Sequence, residues 1–491
     1  MQEAQNKSIH KSQTESTQNQ NSLEEIQSYS ILEHIKEHPI LAKLICVLTY
    51  IFRSETSPTR DHLIVLILAM CALNSCVSIH FLFVHFIVFV VKYSLRSFYY
   101  TLGCAKTHHC VWSKYLIEFV KECIPYDQIR PNFLAVDDTL VEKEGKDFDY
   151  ISKLHDHAKH NGTCYLFGHC FVCVMMIICI HMGCRSFYIS FPVAFRMWRP
   201  SKNKTEDNEY QTKLEIAAEL CKQIISQFED TQNFVVIADS WYPKGVLLDL
   251  IKQHANVEGI FNVRKDTVLY KLAPSRQPGQ RGAPCKKGQR INIDTDLVFI
   301  DIPDTDYRVA FCTAVTKLFG YDKVVMVMVT ESKVAQSRRV FICTDPEKCA
   351  IDIDLIKDPV MKAFGKTVEE IRCFCPYSFR WAIEVNFQEQ KSFWGLENYK
   401  LRSAQGIENL VNLQSLTYAI LCLLPYMDSA FSCLQDLSIQ ERRFAIGRLI
   451  ERQQIMYSLI ARLQSDNKSK DLAAHCAMIA RQESFFSDTA S

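Results

Sequence analysis

The sequence predicts an α/β fold, a mixed sheet with flanking helices, interrupted by an all-β insertion and preceded by a helical N-terminal domain. Three observations carry this reading. Apolar runs of strand length at 133–136, 168–181, 187–197 and 234–238 are joined by segments of helical spacing at 213–228 and 245–254. That order of three strands, a helix, a strand and a helix suits a mixed sheet covered by helices. Residues 259–345 change texture to short alternating β segments, including 297–302, 308–313 and 323–329, and residues 23–130 and 351–463 are periodic in the helical sense.

Taken along the chain, residues 1–22 are rich in Gln, Asn, Ser and Lys and read as a disordered tail. Residues 23–130 form the helical domain, with polar breaks at 53–60 and 106–109. Within it, 63–91 holds no charged residue and is long enough to span a bilayer, so a membrane protein is a rival reading. Asn74, Ser75 and Ser78 interrupt this run, followed by His80 and His85, leaving pieces 63–73 and 77–91 of buried-helix length. The expected α/β core then comes in two parts, 131–258 and 346–463, separated by the β insertion at 259–345, with a C-terminal tail at 464–491.

Composition narrows the class. A chain of 491 residues with 48% hydrophobic content is multidomain and globular. Its 56 Lys+Arg against 55 Asp+Glu give a net charge of +1. That balance argues against a polycation gripping nucleic acid over its whole surface, but not against a local basic groove. The polar N-terminus shows no secretory signal, so the 21 cysteines are expected as reduced, mostly buried thiols. Cys170 and Cys173 have CxxC spacing but sit inside an apolar run, which favours core thiols over a zinc knuckle.

Two apolar strands each meet a carboxylate, at Asp137-Asp138-Thr139 and at Asp239. A carboxylate at the tip of a buried strand costs desolvation unless a positive charge compensates it. A hard divalent cation such as Mg²⁺ is the usual compensation. Further along, Tyr377, Arg380, Glu384 and Lys391 are spaced by 3, 4 and 7. On an α-helix this holds all four within roughly 60° of one face. Taken alone, that stripe is compatible with a solvated face of ion pairs.

The spacing Y-x2-R-x3-E-x6-K, met here by Tyr377, Arg380, Glu384 and Lys391, resembles the signature of a large group of insertion-sequence transposases with an RNase H-like DDE domain. Four fixed positions recur by chance about once in 10⁵ windows. The resemblance covers residues 130–425 and implies that Asp137, Asp239 and Glu384 hold two Mg²⁺ ions, with Mn²⁺ as a substitute. Asp138 is the alternative to Asp137. The resemblance further implies that Tyr377, Arg380 and Lys391 contact the phosphates of double-stranded DNA, namely transposon terminal repeats and target. Two-metal clamping of the attacking and leaving oxygens suits DNA cleavage followed by joining of the 3′-OH. A homodimer on DNA, with no small-molecule cofactor and no membrane, is the family expectation. Localisation follows the host, cytoplasmic and nucleoid-associated if bacterial, nuclear if eukaryotic.

Between residues 264 and 290 stand Arg264, Lys265, Lys271, Arg276, Arg281, Lys286, Lys287 and Arg290, with Asp266 as the only acid. Interspersed Pro and Gly make this a basic loop, expected as a phosphate-contacting arm. The segment from His155 to His160 is expected as a polar loop, not a metal site. Trp241, two residues past Asp239, is positioned to stack on an unpaired base or simply to pack. The competing reading in the same class is a DNA-binding descendant of such an enzyme that has lost catalysis.

Overall fold

The structure is a computed structural model describing residues 35–465, apart from 76–77, 105–108, 157–163, 201–209, 277–280 and 357–358. The expected tails therefore lie largely outside the described residues. Two compact units divide the chain, one comprising residues 1–101 with 428–491 and the other residues 102–427.

In the first unit, helices α1 (Pro39–Ile51) and α2 (Ser57–Ala72) each carry a proline in the first turn, where the missing N–H has no helical partner to lose. All of α2 from His62 to Ala72 is buried, which accounts for its unbroken apolar sequence. Leu73 leaves the helix in an extended conformation. Ser78 then starts α3 (Ile79–Val90), its hydroxyl accepting from the Phe81 amide at 3.1 Å. The charge-free stretch 63–91 is thus two helices, and neither is long enough alone to cross a bilayer. With α4 (Leu95–Gly103), α3 reaches that length only across a 119° bend.

The helix Ile439–Ser465 belongs to this unit, not to the catalytic part as the sequence suggested. Fully buried Arg443 on it donates to the Met70 carbonyl at 2.8 Å and the Leu73 carbonyl at 2.6 Å, closing the C-terminus of α2 with a cation. A Cβ at Gly447 would come within 2.3 Å of the Cys71 carbonyl, so only glycine permits this close crossing.

The second unit opens with α5 (His109–Cys123), which the sequence had assigned to the N-terminal domain. Strands β1 (Asn132–Glu142), β2 (Ser152–His155), β3 (Tyr165–Met182) and β4 (Arg185–Met197) follow. Then come α6 (Lys213–Ile225), β5 (Phe234–Ala238), α7 (Gly245–Gln253) and β6 (Val257–Val263). Five of these six strands lie in the order β4-β3-β1-β5-β6, with β1, β5 and β6 parallel and β3 and β4 antiparallel to their neighbours, and β2 also pairs antiparallel with β3. This mixed sheet with helices is consistent with an RNase H-like core. A capping box, Thr212 with Glu215, starts α6.

The expected insertion is not a separate β body. Its strands β7 (Leu269–Tyr270), β8 (Ile300–Asp301), β9 (Tyr307–Thr316), β10 (Val324–Ser332) and β11 (Arg338–Cys343) continue the same sheet. The joint is β11, antiparallel to β6 from Val340↔Val263 to Cys343↔Ile260. An open β6 edge would leave a row of unpaired backbone groups, and β11 satisfies them. The sheet therefore has 11 strands among the described residues.

Short helical turns lead from β11 to α8 (Trp381–Phe393), followed by α9 (Ala404–Met427). Of the described helices, α9 alone is by itself long and apolar enough to cross a bilayer, yet it is buried within the fold. Its polar residues serve the edge of β4. Asn412 accepts from the Phe195 amide at 2.9 Å and donates to the Phe195 carbonyl at 2.8 Å. Glu408 accepts from the Met197 amide at 2.9 Å.

Candidate active site

Strand register brings the first two predicted acids together. The parallel ladder of β1 and β5 ends at Val136↔Ala238, so the next residue on each side is Asp137 and Asp239. Contrary to the sequence reading, β1 does not stop there. It continues to Glu142, paired only with β3 beyond that point. The acids thus sit where one neighbour leaves the ladder and opens a notch beside β1.

Alternation along β1 separates the two candidate aspartates. Asp137 shares its face with Phe133, whose ring meets Phe379 with centroids 5.3 Å apart, below the turn that leads into α8. On that side Arg380 donates to Asp137 Oδ2 at 2.9 Å and also binds the Glu384 carboxylate. Asp138 faces the other side of the sheet and is fully engaged there. Lys213, the first residue of α6, donates to its Oδ2 at 2.7 Å, the Tyr242 hydroxyl to Oδ1 at 2.9 Å, and the Cys170 thiol to Oδ2 at 3.2 Å.

The signature residues do not all lie on one α-helix. Tyr377 and Arg380 occupy a 3-10 turn, Cys375–Arg380, that runs directly into α8, which carries Glu384 and Lys391. Tyr377 packs on Phe341 of β11 with ring centroids 5.0 Å apart. Lys391 is turned away from Arg380's partners. It donates to the Leu140 carbonyl of β1 at 2.6 Å and pairs with Glu397 at 3.2 Å, pinning α8 to the sheet. Lys391 therefore anchors the helix to β1 in this structure.

Electrostatics single out Asp137. Burial, and next the charge of Asp239, push its carboxyl up to about 7, and they outweigh the adjacent Arg380. Burial also pushes the Tyr377 phenol up to about 12, which keeps it a hydrogen-bond donor. Arg380 is held protonated against its burial by Tyr377, Asp137 and Glu384. Among the described residues no group of three His, Cys, Asp or Glu side chains converges as a ready metal cage. The expected trio is a close pair, Asp137 and Asp239, with Glu384 held on Arg380. The donors nonetheless suit a hard cation: compact carboxylates on two rigid strands, one starved of positive charge, and a third bridged to the first through a guanidinium. Asp137, Asp239 and Glu384 are the residues that would hold it.

The expected arm is an exposed surface whose charge is partly neutralised. Arg264 pairs with Asp266 at 3.2 Å, Lys271 with Asp296 at 3.5 Å and Lys286 with Asp322 at 2.8 Å. Lys265, Arg276, Arg281 and Arg290 are exposed, and Arg276 donates to the Gly282 carbonyl at 3.1 Å. Lys287 lies over the Tyr270 ring at 3.9 Å. Trp241 is 40% exposed beside Asp239, whose carboxylate accepts from the Trp241 amide at 3.0 Å. Cys170 and Cys173 are buried in β3. Most of the His-rich segment, 157–160, lies outside the described residues.

Sequence reasoning missed Lys213 and Tyr242, the partners of Asp138. Their signal was faint: a lysine at a helix start and a tyrosine three residues past Asp239.

Residues 102–313 match the family model of the DDE superfamily endonuclease. The match supports a DDE transposase-like nuclease domain, a family whose substrate is DNA and whose chemistry generally uses divalent metals. It includes Asp137 and Asp239 and stops before Glu384 and the Tyr-Arg-Glu-Lys residues. No curated protein matches the chain.

Proposed function

We propose that the protein is a DNA transposase that cleaves phosphodiester bonds at transposon ends and joins the freed 3′-OH to target DNA. One observation carries the reading: Asp137 and Asp239 stand side by side on adjacent parallel strands, beneath the turn and helix that bring Arg380 and Glu384 to the same edge. Bound divalent cations would supply Lewis acidity for in-line displacement at phosphorus. The protein groups do the rest. Asp137 and Asp239 present fixed oxygens from the sheet, while α8 carries Glu384 on the side that Asp137 faces. Arg380 balances the acids and is placed to take a phosphate through its planar fork. Tyr377 keeps its proton and donates to a phosphate oxygen. Lys391 holds α8 in register with β1. Function as a dimer on DNA belongs to the same proposal.

The test is cleavage of a duplex carrying the element's terminal repeats with Mg²⁺ or Mn²⁺. Cleavage is expected with either metal and lost in Asp239→Ala and Glu384→Ala while DNA binding persists. Cleavage surviving both substitutions would overturn the proposal.

A further inference from the structure

Next to the Asp239 loop lies a cavity whose cations lack acidic partners. It is lined by Lys244, Lys317, Tyr270, Tyr321 and Thr316 among others, and no carboxylate is among the lining residues. Lys244 and Lys317 are both exposed, and among the described residues neither forms an ion pair. A third cation joins them: Lys287 stands 3.9 Å from the Tyr270 ring centre and 4.6 Å from that of Tyr321, which fixes its position by cation–π attraction. The cavity on the other side of Thr267 and Val268 differs, since Asp266 and Asp294 line it and Arg338 there is paired with Asp294 at 2.6 Å.

The cation-rich cavity is joined to the acids by a short run of chain. Asp239 binds the Trp241 amide, and Lys244 lies over the Trp241 ring at 5.1 Å. Gly245, with φ of 47°, then turns the chain into α7, a conformation that favours glycine, and leaves Lys244 at the helix start. Unneutralised positive charge therefore runs from the Asp239 loop through Lys244 and Lys317 to Lys287. The arm charges flanking it are partly spent on Asp266, Asp296 and Asp322.

We infer that Lys244, Lys317 and Lys287 form the track that holds the phosphodiester backbone of duplex DNA beside the cleaved bond. Neither Lys244 nor Lys317 stood out in the sequence, because isolated lysines carry no pattern. The track relocates most of the grip from the exposed loop to a walled cavity. Ammonium groups between low-dielectric aromatic walls hold a polyanion more strongly than charges already paired at the surface. Tyrosine and threonine hydroxyls supply neutral donors to the same phosphates. This inference rests on the proposed DNA substrate and locates its binding.

The test is fluorescence anisotropy of a labelled duplex of random sequence with the full chain, over a salt series. The variants are Lys244→Ala/Lys317→Ala and, as control, Lys333→Ala, an exposed lysine outside the arm that is paired with Asp301 at 3.1 Å. The double variant is expected to bind about tenfold more weakly near 0.1 M salt, with the slope of log K against log salt flatter by about 2. The control is expected within about twofold of the parent. Thermal melting of each variant checks the fold, which exposed substitutions leave intact. Unchanged affinity and slope in the double variant, or an equal loss in the control, would overturn the track. A parent protein that fails to bind duplex at all would overturn both this inference and the proposed function. A protein that binds through the track but shows no metal-dependent cleavage would leave the track standing and refute the catalytic reading alone.

Discussion

Asp137 and Asp138 are consecutive residues of one strand, yet the fold gives them opposite surroundings. Asp138 accepts from Lys213, Tyr242 and Cys170, so its charge and lone pairs are satisfied within the protein. Asp137 has one cation, shared with Glu384, and a second carboxylate beside it. A satisfied carboxylate ties elements together, here β1, β3, α6 and the loop after Asp239. An under-compensated one stores an unmet demand for positive charge, which is what a site for cations and phosphates requires. Strand alternation, one residue apart, separates a carboxylate satisfied within the protein from one left short of positive charge.

The largest test of this contrast is a pair of isosteric substitutions. Asp137→Asn is expected to lower metal-dependent DNA cleavage by about 10³-fold or more with little loss of melting temperature. Asp138→Asn is expected to do the reverse, lowering the melting temperature while cleavage falls by about tenfold or less. Its amide leaves Lys213 without a counter-charge, at a cost of roughly 1–3 kcal/mol. Equal effects of the two substitutions on both readouts would erase the distinction.

A smaller effect is expected at Arg380. Arg380→Ala should reduce cleavage by about 10²–10³-fold through loss of a guanidinium positioned at the acids and the phosphate. Arg380→Lys should recover only part, because a point charge cannot bridge Asp137 and Glu384 as a planar fork does. Full activity in the lysine variant would show that charge alone matters at this position.

The smallest effect concerns pH in metal-free protein. The Asp137 carboxyl lies near 7 in the folded chain against 3.8 unfolded, so the folded state binds the extra proton between those values. Stability from this group is fully present below pH 3.8 and is lost as pH rises through about 7. Asp239→Asn removes the second-largest cause of the shift. It should raise the melting temperature of metal-free protein at pH 8 by a few degrees and flatten its decline between pH 5 and 8. An unchanged pH profile would mean that the two acids do not sense each other.

Much of the second unit was legible in the sequence. The strands at 133–136, 168–181, 187–197 and 234–238, and the helices at 213–228 and 245–254, appear within a few residues of where hydrophobic period places them. The meeting of Asp137 and Asp239 was legible in the same way, since each is a carboxylate met by an apolar run. The merging of β7–β11 with the core was not, because pairing of β11 with β6 is a long-range hydrogen-bonding choice with no local pattern. Nor was the assignment of the helix Ile439–Ser465, whose place is set by buried Arg443 on the carbonyls of α2.

By itself the sequence determined which residue types are available and where along the chain they fall: two acids after apolar runs, and a Tyr-Arg-Glu-Lys spacing further on. Those facts follow from local periodicity, which a single chain displays directly. Tertiary structure alone decided which acid of the Asp137–Asp138 pair faces Arg380, since a strand buried on both faces is apolar on both. It also turned Lys391 onto the Leu140 carbonyl and left Lys244 and Lys317 without acidic partners among the described residues. Whether a charge is spent or free depends on its neighbours in space, and no one-dimensional pattern records them.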